Sequence, residues 1–171
     1  MILPCHFKTD IVDILVERFR SSPESLADAF SVIWSIDAYA MHASAYLQMD
    51  EKIFKQKIRD DGSWEFRLLW EASNATKHAI LRKEQSRDVG RSDKVNASKH
   101  VEGAAAYFSN ATHCGPQICI NIAWQIEEST NTWRDAKGCR VAGRGPFFNV
   151  VPVLDLIEPA LTAIEKQLSS S

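Results

Sequence analysis

The sequence predicts a mainly α (α+β) fold: an antiparallel helical bundle with a small antiparallel β-sheet or hairpin inserted before the C-terminal helix. Three observations predict it. Residues 23–48 and 63–83 are long stretches with apolar residues at helical spacing, and residues 24–48 contain neither Gly nor Pro. Residues 117–127 switch to alternation, with Ile118, Ile120, Ile122, Trp124 and Ile126 on one side, which is the pattern of a strand. Helical spacing then returns near the end, through Leu154, Ile157, Leu161, Ile164 and Leu168.

Each element follows from local chemistry. Residues 9–20 carry Ile11, Ile14, Leu15, Val16 and Phe19 on one side, and Thr9 or Asp10 can cap this first helix. Ser22 as N-cap with Pro23 at the first helical position predicts the start of the second helix, which runs to about Gln48. Asp50 can cap a third segment over 51–59, bearing Ile53, Phe54 and Ile58, and Asp60-Asp61-Gly62 closes it. Ser63 begins a helix whose buried side is Trp64, Leu68, Leu69, Ala72, Ala75, Ala79 and Ile80. Residues 83–94 are highly charged, contain Gly90 and read as an exposed loop. A second strand within 130–141 is expected to pair with the first, followed by a Gly-Arg-Gly-Pro turn at 143–146 and a third short strand at 147–151. Pro152 or Pro159 opens the last helix, and the terminal serines fray.

A chain of 171 residues, 45% of them apolar, is long enough for one domain, 1–171, with a true core. The formal net charge of -2 gives no global attraction to nucleic acid or an anionic membrane. No secretory signal opens the sequence and no apolar run is long enough to cross a bilayer, so a cytoplasmic, non-membrane protein is expected. The four cysteines (Cys5, Cys114, Cys119 and Cys139) are scattered, and free thiols are expected. The Asn-x-Ser/Thr matches would be glycosylated only in a secretory protein. A zinc site from His100, His113, Cys114, Cys119 and Cys139 lacks any recognised ligand spacing, so neither metal nor cofactor is expected.

The candidate site rests on a repeated pentapeptide. Asn-Ala-Thr-Lys-His at 74–78 returns as Asn-Ala-Ser-Lys-His at 96–100, and a fragment returns at 110–113. On a helix, Arg67, Glu71, Asn74 and His78 fall at i, i+4, i+7 and i+11 and form one stripe, with Lys77 beside it and Arg82 a turn beyond. Two guanidiniums, an ammonium, an amide and an imidazole suit an anionic ligand. The same stripe also reads as the solvent-facing side of an amphipathic helix. Asp37 and His42 lie among apolar residues of the second helix, where an acid needs a hydrogen-bond partner. The natural partner is a base on the neighbouring helix: His78, Lys77 or Arg67. Such a pair would tune the imidazole as a base, or would simply tie two helices together. The second copy at 96–100 reads as a chance repeat, a local duplication or a second half-site.

The segment 67–82, with Asn-Ala-Thr-Lys-His followed by Ala-Ile-Leu-Arg, resembles a pattern in small bacterial and phage proteins. There an Asn-Ala-x-Lys-His helix follows a long helix with a central Asp, and a short sheet and a final helix come after. Asp37, Asn74, Lys77, His78 and Arg82 match, and residues 150–168 are similar to the closing segment. Such proteins resemble the HEPN superfamily: helical bundles, often dimeric, many of them metal-independent ribonucleases of toxin and antiphage systems. The resemblance implies His78 as catalytic histidine, with Asn74 and Lys77 in the polar positions before it. The arginine that the family places a few residues before its histidine is missing, and Lys77 or Arg82 would have to stand in for it.

Two functions are therefore expected as alternatives. One is a metal-independent RNA endonuclease acting as a homodimer: His78 as general base oriented by Asp37, with Lys77, Asn74, Arg67 and Arg82 holding RNA and its transition-state charge. The other is a non-catalytic interaction or accessory protein that uses the bundle as a binding surface for a partner protein. A binder of a small ligand or nucleotide on the same stripe is a weaker third.

Overall fold

The computed structural model describes residues 3–77, 108–110, 117–121, 125–127, 132–134 and 150–170. It has the expected mainly helical architecture with a small antiparallel sheet before the last helix. The N-terminal rod consists of α1 (Pro4–Phe7), a π-type segment (Lys8–Val12) and α2 (Asp13–Ser21). It starts earlier than the sequence predicts, with Pro4 at the first helical position rather than a cap at Thr9 or Asp10. The Thr9 hydroxyl instead lies over the backbone oxygens of Cys5 and His6, 3.2 and 3.3 Å away. The turn has widened, so that the Asp13 N–H reaches back five residues to the Lys8 carbonyl. Val12, Val16 and Phe19 are buried by this rod.

The long helix α3 (Leu26–Tyr46) is capped by Ser25, whose hydroxyl accepts the Asp28 N–H at 3.3 Å. Ser22 and Pro23 were expected to do this. They form a turn instead, and the Pro23 carbonyl accepts the Ile118 N–H at 2.8 Å, tying the loop to the sheet. A tertiary hydrogen bond has displaced the local start signal. The far end of α3 closes with Gln48 in the left-handed region (φ 53°). There the Met49 N–H donates to Ser44 O at 2.9 Å and the Gln48 N–H to Ala45 O at 3.2 Å, a Schellman closure.

Helix α4 (Glu51–Asp60) begins as expected, with Asp50 accepting the Lys52 and Ile53 N–H groups at 2.9 and 3.1 Å. It ends at Gly62 (φ 93°), which supplies the left-handed turn that a Cβ would resist. Its inward side is not the expected one: Phe54 and Ile58 are buried, but Ile53 is exposed and Lys55 takes an inward position. Helix α5 (Trp64–Lys77) starts at Ser63, whose hydroxyl accepts the Phe66 N–H at 3.2 Å. Leu68, Leu69 and Ala72 are buried as the periodicity predicts, while Trp64 is only half-buried.

The strand expected over 117–127 is divided. Strand β2 (Ile118–Asn121) is the centre of a three-stranded antiparallel sheet, between β1 (Phe108–Asn110) and β5 (Val150–Pro152). Ile120 lies opposite Phe108 on one side and Val151 on the other. Strands β3 (Gln125–Glu127) and β4 (Thr132–Arg134) form a separate antiparallel pair, which realises the expected pairing with the 130–141 segment. Strand β1 was not foreseen, because three residues are too few to show an alternating pattern. Helix α6 (Val153–Ser169) follows β5 directly, with Pro152 before its first turn and Pro159 inside it. Its buried side is Val153, Leu156, Ile157, Ala160, Leu161 and Ile164. One hydrophobic core joins the rod, α3, α4, α5, α6 and the sheet.

Two tests follow. Gln48→Gly relieves the left-handed strain and is expected to raise stability by up to about 1 kcal/mol, while Gly62→Ala lowers it by about 1–2 kcal/mol, both read from urea midpoints. Burial pushes the Tyr39 phenol up from 10.0 to about 12, with Glu165, Asp13 and Cys5 adding to the effect. The folded state therefore keeps a proton that the unfolded chain releases from pH 10 upward. The contribution is complete below pH 10 and is lost between pH 10 and about 12, amounting to roughly 2–3 kcal/mol. In Tyr39→Phe this part of the alkaline loss disappears from a stability-versus-pH curve.

Candidate functional site

The centre of the candidate site is a buried acid. Asp37 lies midway along α3 on its inward side, 4% exposed. A carboxylate there requires compensation. Helix α4 supplies the Lys55 ammonium, 2% exposed, with Nζ 2.5 Å from Asp37 Oδ1. Helix α5 supplies Ser73, fully buried, whose hydroxyl donates to Asp37 Oδ2 at 2.8 Å. Lys55 also donates to Glu51 Oε1 at 2.7 Å, one helical turn back and nearer the surface. The sequence anticipated the need for a base beside Asp37 but placed it on α5. The base described at Asp37 is Lys55 of α4, and Ser73 of α5 adds a hydroxyl.

The described part of the stripe also faces inward. Arg67 is buried, and its Nε donates to Glu71 Oε1 at 3.1 Å within the same helix. Asn74 is half-buried one turn further on. Neither an open anion-binding row nor a solvent-facing polar side describes Arg67 and Glu71. The Trp70 ring of α5 meets two cations of α4, with the Lys55 ammonium 5.7 Å and the Arg59 guanidinium 5.8 Å from its centroid. Thr76, inside the repeated motif, accepts the Trp34 indole N–H at 2.7 Å and so joins the end of α5 to α3. At the start of α5, burial raises the Glu65 carboxyl above its ordinary value.

His42 is not part of this cluster. Its ring stacks on Phe7 of the N-terminal rod, with centroids 4.2 Å apart, and serves packing between α1 and α3. Lys77 is the last residue of α5. His78, Arg82, the second copy at 96–100, and His113, Cys114 and Cys139 lie outside the described residues. Cys5 is an exposed thiol, and Cys119 is buried in β2. No helix among the described residues is long and apolar enough to cross a membrane.

Lys55 and Ser73 are the site residues the sequence reading missed. A signal existed for each. Lys55 shares the helical side of Ile58, at i and i+3, and Ser73 sits next to Ala72 on the buried side of α5. Comparison of the chain with known protein families, with curated proteins and with solved structures finds no match.

Among the described residues, the Asp37 carboxylate is held by the Lys55 ammonium and the Ser73 hydroxyl. Removing one member leaves its partner buried and charged. Lys55→Met is therefore expected to destabilise the fold by about 3–5 kcal/mol, whereas the double substitution Asp37→Leu with Lys55→Met recovers most of that loss. Urea denaturation of the two variants beside wild type checks both.

Proposed function

We propose that this chain is a non-catalytic, HEPN-like accessory protein of a defence, toxin-type or phage setting, acting through the outer surface of its helical bundle on a partner protein. One observation carries the non-catalytic part. Two charged side chains of the expected site are buried and engaged inside the bundle: Asp37 with Lys55 and Ser73, and Arg67 with Glu71. A carboxylate 4% exposed, beneath a lysine 2% exposed, is better suited to fixing helices. The family setting rests on the resemblance of Asp37, Asn74, Lys77, His78 and Arg82, and the mainly helical fold with a small sheet before the last helix is in keeping with it.

The test is direct. Purified full chain, incubated with structured and with unstructured RNA in EDTA, is expected to leave both intact. EDTA-resistant cleavage by wild type that disappears in His78→Ala would overturn the proposal and restore the metal-independent nuclease.

A further inference from the structure

Of the arginines whose side chains are described, three are bonded to acids and one is not. Arg18 bonds Asp28, Arg20 bonds Glu17 and Glu158, and Arg67 bonds Glu71. Arg59, in the last turn of α4, lies over the Trp70 ring of α5 and, among the described residues, bonds no carboxylate. Its Nε is enclosed and has no hydrogen-bond partner, while its two Nη groups are neither enclosed nor bonded. The acids of the same region are engaged elsewhere: Glu51 with Lys55, Asp60 with Gln56, Asp61 with Lys166 and Gln167, and Glu65 with Ser63. The outer side of α3, where Leu26, Trp34 and Met41 are exposed in a row free of charge, has no comparable feature to select an occupant.

A guanidinium partly withdrawn from water loses hydration, and in the described chain no counter-charge replaces it. The Trp70 ring compensates in part and holds the group in place. What remains unspent is the outer end of the guanidinium, two N–H donors side by side, the fork that an oxyanion bridges with two of its oxygens. The neighbouring charges choose the anion. Lys55, one turn back and over the same ring, is spent on both Asp37 and Glu51, so that group carries more negative charge than positive. A phosphate monoester, with about 1.5 to 2 negative charges at neutral pH, would meet that excess unbalanced. A carboxylate carries a single charge, which Arg59 alone can balance.

We propose that the corner formed by Arg59 and Trp70 receives a carboxylate of the partner protein, its oxygens on the Arg59 fork and its carbon chain along the half-buried indole. This rests on the reading of the chain as an accessory protein that acts on a partner, and it names the chemistry of the contact. Arginine and tryptophan are also the side chains that most often dominate a protein–protein contact once it is covered.

The experiment is nuclear magnetic resonance on the ¹⁵N-labelled full chain, following the Arg59 Nε–H and Trp70 indole N–H signals. The probes are acetate, inorganic phosphate, a blocked peptide of alternating Glu and Ala, and the same peptide with Gln for Glu. Acetate and the Glu peptide are expected to shift both signals to saturation, and the Gln peptide to leave them in place. Arg59→Gln is expected to weaken binding of the Glu peptide at least about ten-fold, read from the Trp70 signal. Arg59→Lys, which keeps the charge without the fork, is expected to fall between. Lys57→Gln, which removes an exposed cation of the same helix, is expected to bind as wild type does. Arg59→Met is expected to melt no lower than wild type, because the thioether can also lie on the indole and no ion pair is lost. Signals that stay in place with acetate and the Glu peptide overturn the proposal. So does tighter binding of phosphate than of acetate, an equal loss in Lys57→Gln, or a lower melting temperature in Arg59→Met, which would show the arginine to be engaged by its own chain. RNA cleavage by the same samples would count against the non-catalytic reading alone.

Discussion

The ion pair between Asp37 and Lys55 is the constraint around which the helices are arranged. Apolar side chains pack in many registers with similar energies, because burial has no direction. A carboxylate is not so tolerant. With an ammonium 2.5 Å from one oxygen and a serine hydroxyl 2.8 Å from the other, α4 and α5 each have one axial position relative to α3. Sliding α4 by a turn would strand a buried charge, at a cost of several kcal/mol, and sliding α5 would take away the carboxylate's bond from Ser73. The pair adds little net stability over a well-packed apolar substitute, but it discriminates strongly among alternatives.

That arrangement accounts for the unusual character of α3. Packed by the N-terminal rod, α4, α5 and α6, it has most of its circumference inside the molecule. Its acids are used inward, Asp28 to hold the rod through Arg18 and Asp37 to hold α4 and α5. Nothing charged remains for the side left over. The neutral outer row is thus a by-product of how this helix organises its neighbours.

Legibility followed locality. Asp50, Ser63 and Gly62 do in the fold what their positions in the chain say, because a cap or a left-handed turn is decided within four residues. Pairing of β3 with β4 was readable for the same reason. Ser22 failed as a cap because the backbone beside it was claimed by Ile118, almost a hundred positions away. Asp37 announced that it needed a base, but which base depended on how α4 lies across α3, and Lys55 looked like any solvated lysine until Ile53 turned outward in its stead. Site residues are hard to read for this reason: their partners are chosen by tertiary geometry.

The widened turn at residues 8–12 also carries a history. A π-type turn holds one residue more than the α-helix around it, and Val12 and Pro4 still face the same core. Excising a single residue there would let the rod wind regularly in its present phase, whereas a cut further along the rod would swing everything N-terminal to it by about 100° around the axis. Phe7 would leave His42 and Pro4 would leave the interior. The bulge thus behaves as an insertion absorbed without loss of phase, and it marks the place in the rod where one residue can be lost without unseating what lies before it.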